Sequence, residues 1–247
     1  MPDIRFGDID FSGGGAYVWG EGQYSAPTRS VDFIEVPGRN GDLLIDNGNY
    51  TNTKAVYRVI ITKNVMENVD RLKYLLYSQK GYQKLYDSDL KGFYRMACFC
   101  GGFDLSSVQG GVVYIEFDCK PYKYDINGEI PLVFDVYENQ GRISLFNPYF
   151  ETAHPLIKLY GDGSSGTISW GSIGEVQITD RGEGHIVIDT DALDAYSFEI
   201  KGDESSKKAN RNKDVSELEL YLPAGYTEVE VDSGWHTIEI IPRWVTI

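Results

Sequence analysis

Three histidines, three cysteines and a surplus of acids are the residues of this 247-residue chain that could do chemistry. His154, His185 and His236 are isolated from one another in sequence, so only the fold could assemble a zinc triad from them. A structural zinc site usually needs four Cys or His ligands in short-spaced pairs. His154 precedes Pro155 and His185 begins a strand-like run, positions that suit structural roles. Cys98-Phe99-Cys100 is an i, i+2 pair in a strand-like run, and Cys119 stands apart. An odd cysteine count without an export signal predicts reduced, buried thiols rather than metal ligands. Serine-nucleophile, phosphate-loop and zinc-protease motifs are absent from the sequence. GDGSSG at 161–166 lies between two strand-like runs, not before a helix, so it reads as a hairpin loop and not as a phosphate cradle. Carboxylate pairs such as Asp189 with Asp191 could serve a glycosidase, but 37 acids make chance pairs common. Trp19, Trp170, Trp235 and Trp244 could stack on sugars if exposed, and burial is the default for tryptophan. The expectation is a chain that is not an enzyme, with no catalytic residue, no metal and no cofactor.

The elements that would position any site are mostly strands. Val56–Thr62 is rich in β-branched residues, and weak alternation marks Val31–Val36. The period then changes. Val65, Val69, Leu72 and Leu76 fall on one helical face, widened by Leu75. Asn64 with Glu67 predicts a capping box, and Gly81 a C′ stop, so the spacing predicts one helix over about 65–80. Strands resume. Tyr94, Met96, Cys98 and Cys100 share one face, as do Val113, Ile115 and Phe117. GGFDLSSVQGG between them reads as a glycine-bearing hairpin connection, and Pro121 is expected to end the second strand. From about 131 the pattern is all β: PLVFDVY, RISLF, PLIKLY, TISW, GEVQIT, HIVIDT, YSFEI, SELELYL, TEVEVD and WHTIEIIP recur at sandwich-like spacing. Ile186–Ile188 could be buried on both faces. KGDESSKKANRNKD, 201–214, reads as a solvated loop.

Two domains follow, 1–130 and 131–247, joined through the polar stretch at Asp125–Glu129. A net charge of −14 argues against stable nucleic-acid binding and against an anionic membrane surface. No run of about 18 apolar residues exists to span a bilayer, and the first residues, MPDIRFGDIDFSGGG, lack the basic and apolar regions of a signal peptide.

One stretch carries unusual turn chemistry. EVPGRNGDLLIDNGNY, 35–50, places Pro37-Gly38-Arg39-Asn40-Gly41 and then Asn47-Gly48 between strand-like runs. Proline presets φ, and Asn-Gly tolerates positive φ. These are two ordinary turns or a loop that serves a partner.

The order of parts resembles the distal tail protein family of long-tailed phages and prophages of Gram-positive bacteria. The most specific pieces are Val36-Pro37-Gly38-Arg39-Asn40-Gly41 and Phe117-Asp118-Cys119-Lys120-Pro121-Tyr122; family members often have Asp where Asn40 stands. HPLIKLYGDG, IVIDT and LELYLPAGYTEVEV are similar to the family's second domain. The resemblance implies a mainly β chain. Its amino-terminal half would be a β-sandwich-like domain with one helix and a belt hairpin, and a galectin-like β-sandwich would follow. It also implies a hexameric tail-tip hub in the virion, assembled in the host cytoplasm. That ring joins the major tail tube protein to tail-tip, baseplate and receptor-binding proteins. Pro37, Gly38, Arg39, Asn40, Gly41, Asn47 and Gly48 then become a candidate inter-subunit loop. The alternative from another class is a carbohydrate-binding module that aids adsorption to the host wall.

Overall fold

Alternation of apolar and polar residues becomes alternation of burial. Thr53–Ile61, TKAVYRVII, buries Thr53, Ala55, Tyr57, Val59 and Ile61 and turns the residues between them outward. This computed structural model describes residues 4–11, 16–21, 25–101, 111–161, 165–181, 184–200, 206–232 and 234–247. The chain divides into two compact units, one running to Tyr124 and taking in Ile247, the other spanning Asp125–Thr246.

The first unit contains β1 (Ile4–Phe6), β2 (Ile9–Asp10), β3 (Ala16–Glu21), β4 (Arg29–Ile34), β5 (Leu43–Tyr50), β6 (Thr53–Ile61), α1 (Val65–Ser78), β7 (Gln83–Asp87) and β8 (Phe93–Cys98), and most of β9 (Val112–Asp125). The strands order as β2-β1-β7-β8-β9-β6-β3, while β4 and β5 form a two-stranded sheet of their own. The helix lays Val69 and Leu76 into a core with Phe6, Val59, Ile115 and Phe117, and Val65, Leu72 and Leu75 pack at its margin. That is the apolar face expected from the sequence.

The helix ends differ from expectation. Asn64 adopts left-handed φ of 44° and makes no side-chain cap, so the Asn64–Glu67 capping box does not form. The Asn68 side chain instead donates to the Lys63 carbonyl at 2.7 Å. The helix stops at Ser78, with Gln79 extended, and the positive φ of Gly81 (68°) serves the turn beyond it. Pro121 does not end β9. The ladder to β6 finishes at Thr53↔Cys119, so the missing proline N–H has no β6 bond to lose. The GGFDLSSVQGG connection lies almost wholly outside the described residues.

The second unit opens with a short 3-10 turn at Ile126–Glu129. Then follow β10 (Leu132–Asp135), β11 (Arg142–Asn147), β12 (Leu156–Tyr160), β13 (Gly166–Trp170), β14 (Gly174–Ile178), β15 (His185–Asp189), β16 (Asp194–Ile200), β17 (Ser206–Asn210), β18 (Gly225–Val231), β19 (Thr237–Ile241) and β20 (Val245–Thr246). A six-stranded sheet, β10-β19-β12-β15-β16-β17, and a four-stranded sheet, β11-β18-β13-β14, share one core. The first contributes Ile157, Leu159, Ile186, Ile188, Ile238 and Ile240, and the second Ile143, Leu145, Ile168, Trp170, Val176 and Val229. Ile186, Val187 and Ile188 are all buried, as a central strand requires. Among the described residues the chain is mainly β with one α-helix, as its sequence predicts.

Two segments depart from the sequence reading. SELELYL is no ladder strand. Within it only Leu222 bridges, to Ala153, just after the isolated bridge of the preceding Val215 to Ile178, and the Glu219 N–H donates to the Glu217 carboxylate at 2.8 Å. Leu220 and Leu222 are still buried, so the apolar period reports burial and not pairing. The polar run 201–214 is partly structured. Ser206–Asn210 pairs antiparallel with β16 as the sheet's edge, a position where lysine-rich composition is favourable. The centre of GDGSSG, 162–164, is outside the described residues.

Candidate functional site

The candidate loop sits at the tip of the β4–β5 hairpin. Asp32↔Ile45, Phe33↔Leu44 and Ile34↔Leu43 pair directly, and residues 35–42 turn the chain. Gly38 and Gly41 adopt φ of 81° and 79°, values that cost glycine little and other residues much. The Arg39 N–H donates to the Val36 carbonyl at 3.1 Å and closes the first turn. Pro37, Arg39 and Asn40 are exposed. The hairpin tip thus holds Pro37, Gly38, Arg39, Asn40 and Gly41 together.

Asn47 and Gly48 lie elsewhere. They fall within β5, where the register slips between Arg29 and Val31. The segment is a bulge, not a second hairpin turn. The Gly48 N–H donates to Asp46 Oδ1 at 2.9 Å. Asn47 Nδ2 reaches across the strands to Ser30 Oγ (3.2 Å) and Asp32 Oδ2 (3.1 Å). Arg29 pairs with Asp46 at 3.2 Å. Each contact is solvent-facing and individually weak. Together they fix the bulge and increase the local twist. At the base, the Thr51 N–H donates to the Thr28 carbonyl at 2.9 Å, and the Tyr50 ring meets Tyr122 edge-on at 6.2 Å.

The apolar residues behind the tip are the part that turn chemistry does not reveal. Phe33 is 65% exposed and Leu44, its cross-strand partner, 55%. Ile34, Val36, Leu43 and Ile45 are exposed as well. Adjacent strand residues point to opposite faces, so both faces of this ribbon are apolar near its end. A two-stranded hairpin is marginal alone in water, and clustered exposed apolar side chains mark an interaction surface. The signal was present in the sequence: FIEV and LLI flank the turn without a consistent polar face.

The residues suspected of chemistry do not assemble. Among the described residues, no group of three or more His, Cys, Asp or Glu side chains could hold a metal ion. The His185 ring stacks on Tyr160 at 4.6 Å. Burial, and then the charge of Lys158, hold its pKa below the ordinary histidine value. His236 Nδ1 lies 3.0 Å from Thr237 Oγ1. Asp189 is engaged by Arg243, at 2.6 and 3.1 Å. Trp170 and Trp235 are fully buried and Trp244 nearly so; the Trp19 side chain is outside what is described. The cysteine expectation holds only in part. Cys119 is free and buried, but Cys98 and Cys100 are joined in a disulfide with Cα atoms 6.0 Å apart. Side chains two apart on a strand share a face, which brings the sulfurs together where β8 ends. Among the described residues no helix is long and apolar enough to cross a membrane.

Comparison with solved structures gives a likeness over the full length of the chain. The crystal structure of the Dit protein of phage SPP1 superposes with a TM-score of 0.74, at 11% identity, over 100% of both chains. The chain has the Dit fold. The Dit protein of SPP1 is described as a paradigm of the hub adsorption apparatus in phages that infect Gram-positive bacteria. No protein-family model and no curated protein sequence matches the chain.

Proposed function

We propose that this protein is a structural hub of a phage tail tip. Six copies form a ring that joins the tail tube to the tail-tip and receptor-binding proteins. The first unit builds the ring, and the galectin-like second unit faces outward toward the adsorption apparatus. The observation that carries this reading is the β4–β5 hairpin, with apolar side chains on both faces of an exposed ribbon, in a chain whose fold matches a phage hub protein end to end. A ring needs a head-to-tail contact in which one patch meets a different patch on the next copy, and an extended hairpin is suited to that reach. Pro37, Gly38, Arg39, Asn40, Gly41, Asn47 and Gly48 then act by shape: the tip glycines turn the ribbon, and the Asn47–Gly48 bulge sets its twist. No catalytic step, metal or cofactor belongs to this function. The net charge of −14 disfavours stable contact with the DNA that passes a tail. Immunogold labelling of phage particles that carry this chain tests the reading. Gold confined to the tail end distal to the capsid is expected; gold on the capsid or along the tube would contradict it.

A further inference from the structure

The first unit carries a covalent bond that the hub reading does not use. β8 ends at Cys98, whose sulfur joins that of Cys100, at a sequence separation of 2. Cys98 is half-buried and Cys100 is exposed. Between them Phe99 faces the other way and packs at the margin of the first unit's core. Its ring meets Tyr77 edge-on at 5.1 Å and lies 6.1 Å from the ring of buried Phe117. Tyr77 belongs to the last turn of α1, and its hydroxyl donates to the Gly101 carbonyl at 3.1 Å. The disulfide thus fixes the stretch of chain, residues 98–101, that grips the end of the helix through Phe99 and Gly101.

Two features make this bond reversible and not a permanent staple. It closes a very short loop, and a disulfide constrains the unfolded chain less the shorter its loop. Cys100 lies open to an attacking thiolate, and exposed disulfides are the labile ones. Cys119 is buried and takes no part. Reduction by a monothiol runs in two balanced steps. The thiolate of one monothiol attacks Cys100 Sγ, the S–S bond breaks, and Cys98 leaves as a thiolate and takes up a proton. A second monothiol then attacks the mixed disulfide at the small molecule's sulfur, and Cys100 leaves and is protonated in turn. The protein disulfide gains two electrons, and the two monothiols are oxidised to their own disulfide. The reverse exchange, with that small disulfide as oxidant, closes the bond again.

We propose that Cys98 and Cys100 form a redox latch of the first unit: closed, it clamps the end of α1 to the sheet through Phe99; open, it lets that end loosen. A chain built among cytoplasmic thiols and used outside the cell meets both conditions, a placement that rests on the hub reading. The test equilibrates the full chain in glutathione buffers from reduced to oxidised, quenches it in acid, and counts free thiols by alkylation in denaturant and mass spectrometry. Three thiols are expected at a cytosolic poise and one at the poise of a secretory compartment. Hydrogen exchange then reads the clamp. Amides in the last turn of α1 should exchange about tenfold faster in the open state, while those of Ile186–Ile188 in the second unit stay unchanged. Cys98→Ser should exchange like the reduced parent in every buffer. The reduced parent itself supplies the open state, so the result does not depend on how the variant folds. A bond that stays closed at the cytosolic poise, a bond absent at the oxidising poise, or helix protection indifferent to its state would each overturn the proposal. The measurement is made on the isolated chain, so its failure leaves the hub reading standing, and gold label away from the tail tip would leave the latch standing.

Discussion

Replacing Phe33 by alanine should separate assembly from folding. Phe33 exposes 65% of its surface in the single chain. Taking roughly 200 Å² for a whole phenylalanine leaves about 130 Å², worth about 3 kcal/mol at about 25 cal/mol per Å² if a neighbour covers it. At about 1.4 kcal/mol per decade, Phe33→Ala should weaken each subunit contact about 100-fold. The single chain should lose almost nothing, because an exposed substitution away from caps and buried polar groups changes stability by less than about 0.5 kcal/mol. Light scattering after size-exclusion chromatography across a concentration series reads the first effect, and a thermal melt of the monomer the second. Leu44→Ala, on the same face, should act in the same direction with a smaller effect. A Phe33→Ala protein that assembles at the parent's concentration would refute the reasoning. So would one whose monomer melts well below the parent, since Phe33 would then belong to the core of its own chain.

Thiol chemistry should report the cysteine arrangement: one reactive thiol in denaturant without reductant, three after reduction. Before unfolding, burial pushes the Cys119 pKa up to about 11, so Cys119 should resist alkylation at mildly alkaline pH until the fold opens. In the second unit, burial works to raise the Asp189 pKa, but the Arg243 hydrogen bonds and charge outweigh it and the net shift is downward. A lowered folded pKa contributes stability that is present above the unfolded value and lost as pH falls through the folded one. Asp189→Asn should therefore destabilise at neutral pH, and in urea titrations its gap to the parent should shrink below about pH 4; a gap constant with pH would count against the ion pair. Asn147 is buried, and its Nδ2 donates to the Glu151 and Leu222 carbonyls, each at 2.9 Å. Asn147→Ala should cost about 3 kcal/mol in chemical denaturation, through two carbonyls left short of a partner.

The sequence discloses what depends on period. The Val65–Leu76 stripe, the two-faced burial of Ile186–Ile188 and the alternation of TKAVYRVII are local consequences of side-chain spacing, and each reappears as burial. It discloses less of what depends on neighbours. SELELYL carries a strand's period yet forms no ladder: of its residues Leu222 alone makes a bridge, to Ala153. Ser206–Asn210 looks like loop and is an edge strand, because an edge needs pairing on one side only. Pro121 fails to stop β9 for the same reason: the β6 ladder has already ended there. At the candidate site the tip turn was legible from Pro37 to Gly41, since positive φ has few residue solutions. Asn47–Gly48 gives the same dipeptide signal and forms a bulge, and only the register of β4 against β5 tells the two apart.

A cryo-electron reconstruction of the assembled tail tip tests the central claim most directly. The account predicts six copies of this chain in one ring between the tube and the tip proteins, with the Phe33 and Leu44 face of each hairpin covered by the neighbouring copy. A different copy number, or a ring in which those side chains remain in solvent, would contradict it.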